Sequence, residues 1–231
     1  MVRDENQDRV EAKSFGNSIL AVVCDGMGGE RSGRQASTIA MRELFDRFEA
    51  GYKRHLTPEG IRALLLSSVS AANSVIYTTA RMDYKSFGMG TTCVAAFAEP
   101  GWISIVNVGD SRAYLIEGDT IRQLTHDHTV VNMLLQQGKI RREDMRSHPQ
   151  RNMLTRAVGV ERVVKPDYYR IPCQEDALLL LCSDGLYGCC KEADILKVIR
   201  SNSFEDMPQA LVDLALERGG RDNISLAVVI K

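Results

Sequence analysis

A chain of 231 residues with 44% hydrophobic and 26% charged residues has the composition of a globular protein, long enough for one large domain or two small ones. The formal net charge of −1 gives no bulk attraction to nucleic acid or to an anionic membrane. Because no window approaches the roughly 18 consecutive apolar residues of a membrane span, and the start MVRDENQD is too polar for a secretory signal, we expect a cytoplasmic protein.

The first half of the chain predicts a buried strand and two helices. The apolar run ILAVVC, residues 19–24, is typical of the strand and stops at an Asp-Gly pair. A first helix is expected to start with Ser32 as its cap, and a second at Thr57-Pro58, a cap followed by proline in the first turn. The apolar positions of these helices recur at helical spacing, at Ala36, Ile39, Ala40, Leu44 and Phe48 and at Ile61, Leu65, Val69, Ala72 and Ile76.

The second half predicts mostly strands joined by short turns. Residues 91–98 and 102–108 are separated by EPG, and residues 113–116 and 120–124 by EGD, so both pairs are antiparallel. A strand near 167–171, helices near 191–200 and 205–218, and a final strand ISLAVVI complete the pattern. This order predicts an α+β domain whose long helices cover antiparallel sheets, and not a doubly wound fold.

The stretch 132–159 has weak periodicity and is rich in Arg, Gln and His. We interpret it as a small mobile excursion beside a functional site, although the pattern fits a pair of surface helices equally well. His126, Asp127 and His128 precede this stretch and have two interpretations as well. They could relay protons, but such a run more often packs or caps the entering turn, which is the interpretation we favour.

The six cysteines do not predict a metal site or a disulfide framework. Cys24, Cys93 and Cys182 lie in apolar runs, where cysteine behaves as a small buried hydrophobe. No C-x-x-C pair and no Cys/His spacing typical of zinc is present. The adjacent Cys189 and Cys190 could be reactive, and we favour inert thiols. Reduced cysteines agree with a cytoplasmic location.

Acidic residues recur where apolar strands end. Asp25, Asp110 and Asp184 each follow such a strand, in VCDGMGG, NVGDSR and LLLLCSDG, while Asp8 and Asp222 stand in the polar turns RDENQD and GGRDN. One such residue is usually a turn or a helix cap. If all five converge, their mutual repulsion requires cations. Carboxylates and carbonyls are hard oxygen ligands, so the pattern favours Mg²⁺ or Mn²⁺ over zinc.

Two divalent ions that share a carboxylate are suited to hydrolysing a phosphate ester. They lower the pKa of bound water, so hydroxide exists near neutral pH, and they neutralise the charge of the phosphate. Arg3 adds a planar donor that can bind two phosphate oxygens at once. An arginine near a chain start is more often merely solvated, and its place just before Asp8 is what favours the phosphate-binding interpretation.

These motifs together resemble the PPM, or PP2C-like, metal-dependent protein serine/threonine phosphatases in their bacterial form. The resemblance covers nearly the whole chain, and its motifs stand in order: VRDENQD, VCDGMGGERSGRQAS, FGMGTT, NVGDSRAYL, LTHDHT, LCSDGLYG and GGRDNISLAVV. It implies one domain over residues 1–231, a four-layer α-β-β-α sandwich with two mainly antiparallel sheets and a metal centre at one edge. It also implies a flap over about residues 132–157 that shapes substrate access.

The resemblance assigns each acid a role with two core ions, Mn²⁺ or Mg²⁺, and a weaker third. Asp25 would bridge the two core ions, and Asp184 and Asp222 would complete the first ion's protein ligands, which makes these three the catalytic set. The carbonyl of Gly26 would bind the second ion, with Asp8 acting there directly or through water. Asp110 would hold the third ion together with Asp184.

The implied reaction is the hydrolysis of phosphoserine and phosphothreonine by a metal-bound hydroxide, with Arg3 gripping the phosphate. The implied partners are phosphorylated proteins, including a cognate Ser/Thr kinase, with no nucleic acid and no membrane span, and we expect a monomer. The alternative is a catalytically weak relative that binds phosphoproteins. Retention of Asp25, Asp184 and Asp222 argues against that alternative, because such relatives usually lose a ligand.

The sequence departs from the family pattern at several points. Met27 stands where eukaryotic members have a histidine proposed as general acid, so the leaving group must be protonated from elsewhere. Gln7 replaces a common glutamate and is not counted as a ligand, and Gly188 stands where an acid is frequent. The sequence begins at the first motif, whereas family members usually have a strand before it, so we expect an exposed sheet edge or a loosened Arg3.

Overall fold

The computed structural model of the protein describes residues 5–82 and 86–230, so Arg3 lies outside the described residues. The strands are β1 Arg9–Phe15, β2 Ser18–Cys24, β3 Gly26–Met27, β4 Gly90–Thr91, β5 Cys93–Glu99, β6 Trp102–Val108, β7 Arg112–Glu117, β8 Thr120–Gln123, β9 Asp167–Pro172, β10 Leu178–Cys182 and β11 Leu226–Ile230. The helices are α1 Glu30–Gly51, α2 Pro58–Met82, α3 Val130–Gln136, α4 Asp184–Tyr187, α5 Glu192–Ser201 and α6 Met207–Glu217, with a 3₁₀ helix at Arg142–Ser147.

Two antiparallel sheets form the centre of the molecule. The larger sheet has the order β1-β2-β5-β6-β9, the smaller has the order β11-β10-β7-β8, and β3 pairs with β4 beside them. Every strand pairing among the described residues is antiparallel. Short connections such as the one between β5 and β6 dictate this arrangement, because a parallel pair requires a long crossover.

The apolar strands are buried on both faces because each sheet lies between two layers. In β2, Leu20 and Val22 face α1 and α2, while Ala21 and Val23 face the smaller sheet. In β10, Leu181 faces the larger sheet, and alternate residues pack against α5 and α6. Three apolar layers therefore separate four layers of secondary structure, which confirms the predicted α-β-β-α sandwich.

The two long helices match their predictions apart from one boundary. Thr57 caps α2 by accepting a hydrogen bond from the Gly60 N–H at 3.1 Å, and the predicted apolar stripe of α2 is buried. The prediction that Ser32 caps α1 is wrong, because α1 begins at Glu30 after Gly29. Gly28 and Gly29 have φ values of 112° and 89°, a conformation that glycine adopts readily. The two glycines thus turn the chain into the helix three residues earlier than the cap pattern indicated.

Strand β1 was not predicted from the sequence. It forms an edge of the larger sheet, and most of its side chains are exposed, so it has no run of buried residues to reveal it. One of these side chains, Lys13, forms an ion pair with Glu49 of α1. The expectation of a missing earlier strand concerns the start of the chain, outside the described residues, and stays a prediction.

The excursion at 132–157 is partly helical. Helix α3 begins at Val130, because Thr129 caps it by accepting a hydrogen bond from the Asn132 N–H at 3.3 Å. After the 3₁₀ helix the chain is irregular, and isolated bridges join Thr129 to Leu154 and Thr91 to Val158. The segment is therefore one short α-helix and a 3₁₀ turn, not the pair of surface helices that the pattern also allowed.

All six cysteines are free thiols, and Cys24, Cys93 and Cys182 are buried as predicted. Within the described ranges, α2 is the one helix whose length and composition would allow it to cross a membrane. Its buried stripe packs in the core beneath the larger sheet, and the core helices of many proteins pass the same test.

Candidate functional site

The strand register brings the five predicted acids to one edge of the sandwich. Arg9 pairs with Cys24, so Asp8 and Asp25 meet at one end of the β1–β2 pair. Cys182, the last residue of β10, pairs with both Leu226 of β11 and Arg112 of β7. Three segments therefore meet at one end of the smaller sheet: the one that follows β10, the one that precedes β11 and the one that precedes β7. These three segments carry Asp184, Asp222 and Asp110.

Asp8 and Ser183 join the two sheets at this edge. The Ser183 hydroxyl donates to Asp8 Oδ2 at 2.7 Å, and it accepts from the Ser225 N–H at 3.1 Å. Asp8 is only 3% exposed, and its other carboxylate oxygen, Oδ1, is buried without a hydrogen-bond partner in the described structure. A buried carboxylate oxygen without a donor is costly, so this atom is suited to a cation.

Asp25 is fixed through its backbone, which leaves its side chain available. Its N–H donates to the Thr92 hydroxyl at 2.9 Å, and its carbonyl accepts from the Thr92 N–H at 2.8 Å and the Thr91 hydroxyl at 2.9 Å. The Thr92 hydroxyl also lies 2.7 Å from the Ser111 hydroxyl. Since Ser111 follows Asp110, this buried contact ties the Asp25 and Asp110 turns together.

Gly26 follows Asp25 at a point where no side chain fits. A Cβ on Gly26 would lie 2.1 Å from the carbonyl oxygen of Gly33 in the first turns of α1, well inside van der Waals contact. The close approach holds the Gly26 backbone against α1. It therefore fixes the main chain at the position where the sequence predicts a carbonyl ligand.

The segments that carry Asp184 and Asp222 are packed directly against each other. A Cβ on Gly185 would lie 1.9 Å from the Asn223 carbonyl oxygen, so only glycine permits this approach. The Asn223 side chain accepts from the Gln7 N–H at 3.0 Å and donates to the Glu5 carbonyl at 3.2 Å. Asn223 thereby holds the segment before β1, with Asp8, next to Asp222.

Asp110 is held from behind by an aromatic and basic cluster. Tyr187 donates its hydroxyl hydrogen to the Asp110 carbonyl at 3.0 Å, and the Arg112 guanidinium lies 3.6 Å from the centre of the Tyr187 ring. Arg112 also forms an ion pair with Asp127 at 2.6 Å. Burial, followed by the negative charge of Asp127, raises the pKa of Asp110 to about 6.

The electrostatics of the site show an excess of negative charge. Burial raises the pKa of Asp25 well above its usual value, and the charges of Asp8, Asp184, Asp110 and Asp222 raise it further. Burial also raises the pKa of Asp8, although its hydrogen bond with Ser183 opposes the rise. This is the pattern expected of carboxylates gathered to share cations.

The oxygen donors at this edge are of the type that binds hard divalent ions, but their arrangement does not form a complete coordination site. It offers carboxylate and carbonyl oxygens, a surplus of negative charge and the orphaned Asp8 oxygen. Among residues 5–82 and 86–230, however, no three His, Cys, Asp or Glu side chains are arranged to hold a metal ion. The described structure thus gathers the predicted acids without assembling the set of Asp25, Asp184 and Asp222 around one point.

His126, Asp127 and His128 make the contacts of packing and capping groups. Asp127 pairs with Arg112, and His128 Nδ1 accepts from the Gly109 N–H at 3.1 Å. Burial lowers the pKa of His128, although Asp167 lies 3.3 Å from its Nε2. These contacts agree with the structural interpretation favoured from the sequence.

Sequence reasoning missed the groups that hold the acids in place. Thr92, Ser225, Asn223 and Tyr187 stand beside the predicted acids along the chain or across a strand pair, yet only their hydrogen bonds mark them. Asn223 directly follows Asp222, and Ser225 and Tyr187 each stand three residues after a motif acid, so closeness along the chain was their one available signal. Arg3, the predicted phosphate-binding residue, lies outside the described residues.

Known proteins resemble this chain over nearly its whole length. A family model described as Protein phosphatase 2C matches residues 3–223. The serine/threonine phosphatase stp of Listeria welshimeri is 39% identical over 99% of this chain and 91% of its own. The solved S. agalactiae serine/threonine phosphatase has a TM-score of 0.92 at 33% identity, covering 99% of this chain and 94% of that one.

A structure of the catalytic domain of the serine/threonine protein phosphatase PstP in complex with two manganese ions has a TM-score of 0.84 at 28% identity, over 100% of this chain and 94% of that one. The family match spans far more than half of the sequence, and the solved relatives share its fold. The chain belongs to the protein phosphatase 2C family.

Proposed function

We propose that this protein is a metal-dependent protein serine/threonine phosphatase that hydrolyses phosphoserine and phosphothreonine. The observation that carries the proposal is the convergence of five carboxylates at one edge of the sandwich, where four of them raise the pKa of the fifth, Asp25. Family membership and the named serine/threonine phosphatases among its relatives support the same activity.

The core ions take their protein ligands from the acids at the sandwich edge. Asp25 would contribute to holding both ions, and Asp184 and Asp222 would help to hold the first. The Gly26 carbonyl and Asp8 serve the second, and the orphaned Asp8 oxygen supports that part of the proposal. Since no three acidic side chains among the described residues form a cage, main-chain carbonyls and water supply further ligands.

Asp110 and Asp184 together would hold a third ion, which would be bound more weakly than the first two. When bound, divalent ions of this kind supply an acidified water and neutralise the charge of a phosphate ester. Manganese and magnesium both suit these oxygen ligands, and the manganese in the PstP structure supports manganese. The identity of the ions and their number belong to this proposal.

The remaining roles concern the substrate. Arg3 binds the phosphate oxygens, so replacing it should weaken substrate binding. Met27 is half-buried beside Gly26 and has no titratable group, so it cannot protonate the leaving oxygen. The segment 132–157 acts as a flap within a single domain over residues 1–231. The protein acts as a cytoplasmic monomer on phosphorylated proteins, including a Ser/Thr kinase whose action it opposes.

The deciding experiment measures hydrolysis of a small aryl phosphate and a phosphothreonine peptide, with and without Mn²⁺. We expect Mn²⁺-dependent turnover of both, abolished by EDTA and largely unaffected by cysteine alkylation. Asp25→Asn should remove most of the turnover, since it keeps the shape but loses a charged oxygen ligand. The matched control is Asp119→Asn, because Asp119 is an exposed acid paired only with Arg200 in the described structure.

Two outcomes would contradict the proposal. Turnover that survives rigorous chelation would refute metal dependence. A folded protein that binds Mn²⁺ and phosphopeptides but hydrolyses neither substrate would favour the catalytically weak binding domain instead.

A further inference from the structure

An open groove of about 630 Å³ is lined by residues of α1, α2 and β1, and four of these residues are arginines. Arg31, Arg34 and Arg42 project from α1 at helical spacing, and Arg9 comes from β1. The rest of the lining is uncharged, with Val75 and other residues from α1 and α2. A chain with a net charge of −1 thus concentrates positive charge in one concave surface.

Two of the four arginines, Arg31 and Arg9, have no acidic partner among the described residues. Arg31 is exposed, and no carboxylate of the described residues pairs with it. Arg9 donates to the Thr38 hydroxyl and to the carbonyls of Asn6 and Asp8, so it has no acidic partner there. Arg42 is 62% exposed and pairs only with its neighbour Glu43. A groove with this charge attracts an anionic ligand.

The groove begins beside the acid cluster. Arg34 pairs with Glu5 at 2.7 Å, and the Glu5 carbonyl accepts a hydrogen bond from the side chain of Asn223, the residue after Asp222. At the same end of α1, the backbone of Gly33 lies against Gly26. A ligand in the groove therefore continues directly from a group bound at the acids.

We propose that this arginine groove binds an acidic segment flanking the phosphorylated residue of a protein substrate. The inference rests on the proposed phosphatase function and adds a preference among substrates. Arg31 and Arg42 are eleven residues apart, which is about 16 Å along the helix and matches about five residues of extended peptide. Aspartates or glutamates within about five residues of the phosphorylated residue would thus reach the arginines.

A peptide fits the groove better than a membrane or a nucleic acid does. Three of the four arginines lie along α1 and the fourth comes from β1, in a concave surface, whereas a membrane requires a flat or convex basic face. A nucleic acid would also bring phosphates close to the five carboxylates next to the groove and be repelled by them. Carboxylates several residues away from a phosphorylated side chain avoid this repulsion.

The test compares the Mn²⁺-dependent hydrolysis of three substrates. They are a phosphothreonine peptide with aspartates on one flank, the same peptide with asparagines in their place, and an aryl phosphate. The variant is Arg31→Ala/Arg42→Ala, which spares Arg9 and Arg34 because their contacts lie close to the acids. An exposed ion pair is worth up to about fivefold in affinity, so we expect kcat/KM for the acidic peptide to fall roughly tenfold. The other two substrates should be unaffected.

The matched control is Arg47→Ala, which removes an exposed arginine of the same helix that does not line the groove. A second measurement uses fluorescence anisotropy in EDTA with the unphosphorylated aspartate peptide, so that it reports on the groove without the ions. The double variant should weaken this binding, and added salt should weaken it in the wild type.

The outcomes separate this inference from the proposed function. If no substrate is hydrolysed, the phosphatase proposal fails. If all three are hydrolysed but the double variant treats both peptides as the wild type does, the groove proposal alone is overturned. An equal loss in Arg47→Ala would show a general charge effect, and binding to anionic vesicles in place of the peptide would assign the groove to a membrane.

Discussion

Replacing Asp110 by asparagine should stabilise the metal-free protein at neutral pH, even though it should impair the metal-loaded enzyme. Asp110 is 9% exposed, and burial together with Asp127 raises its pKa from 3.8 to about 6. A rise of that size corresponds to about 3 kcal/mol of unfavourable free energy once the carboxylate is ionised in both the folded and the unfolded chain. Asparagine keeps the shape and removes the charge, so the variant escapes this cost.

The sign and the pH range of this effect follow from the direction of the pKa shift. Well below the unfolded-state pKa of 3.8 the carboxyl is protonated in both states, so wild type and Asp110→Asn should be equally stable there. As the pH rises from about 4 to above 6, the unfolded chain ionises first and the folded wild type loses stability relative to the variant. Urea unfolding in EDTA at pH 4, 5, 6 and 8 should show a difference that grows and then levels off.

Saturating Mn²⁺ should shrink or reverse the advantage of the variant, because an ion bound at Asp110 stabilises only the folded wild type. The reasoning would be refuted if the metal-free variant were less stable than wild type at pH 8. A difference independent of pH would refute it equally, since Asp110 would then be satisfied as an anion by its surroundings.

Three further substitutions test how the site is held. Tyr187→Phe keeps the ring beneath the guanidinium but loses the hydrogen bond to the Asp110 carbonyl, so it should cost about 1 kcal/mol in urea unfolding. Gly26→Ala would place a Cβ 2.1 Å from the Gly33 carbonyl oxygen, so a marked fall in melting temperature is expected, and unchanged stability would show that α1 can move. Asn73→Ala removes the buried amide that accepts a hydrogen bond from the Gly159 N–H and donates to the carbonyls of residues 161 and 162. The free energy of unfolding should fall by about 1–3 kcal/mol, and hydrogen exchange at those residues should become faster.

Elements with a buried face could be predicted from the sequence. The apolar stripe of α2 and the apolar runs of β2 and β10 reveal buried positions in the sequence itself. The helix faces one apolar layer and each strand faces two, so their apolar residues follow a regular pattern. The exposed edge strand β1 has no such pattern, and its pairing with β2 became visible only in the structure. The start of α1 was misplaced because two glycines with positive φ, and not the Ser32 side chain, determine where the chain turns into the helix.

Asp25, Asp110 and Asp184 could be found from the sequence because each stands within two residues of the end of an apolar strand. Asp8 and Asp222 stand in the polar turns before β1 and β11, and the motifs identified them. The strand register brings the five acids together at one edge, and the resemblance carried by the ordered motifs implied that they would meet there. The supporting contacts could not be found in this way. The hydroxyl of Ser183 reaches Asp8 from a position 175 residues away, and Asn223 reaches Gln7 across 216 residues. No local pattern encodes such pairs.

The same contacts explain why the sandwich places repelling charges where it does. Strands buried on both faces hold their ends rigidly, so Asp25 and Asp184 cannot move apart to relieve their repulsion. The backbone hydrogen bonds of Asp25 to Thr91 and Thr92 fix the main chain and leave the carboxylate to face its neighbours. The free energy of packing in the two sheets thus maintains a concentration of negative charge that a flexible loop would disperse. A cation that enters this edge is stabilised by charges already in position, and the arginine groove beside it offers the opposite charge to the rest of a substrate.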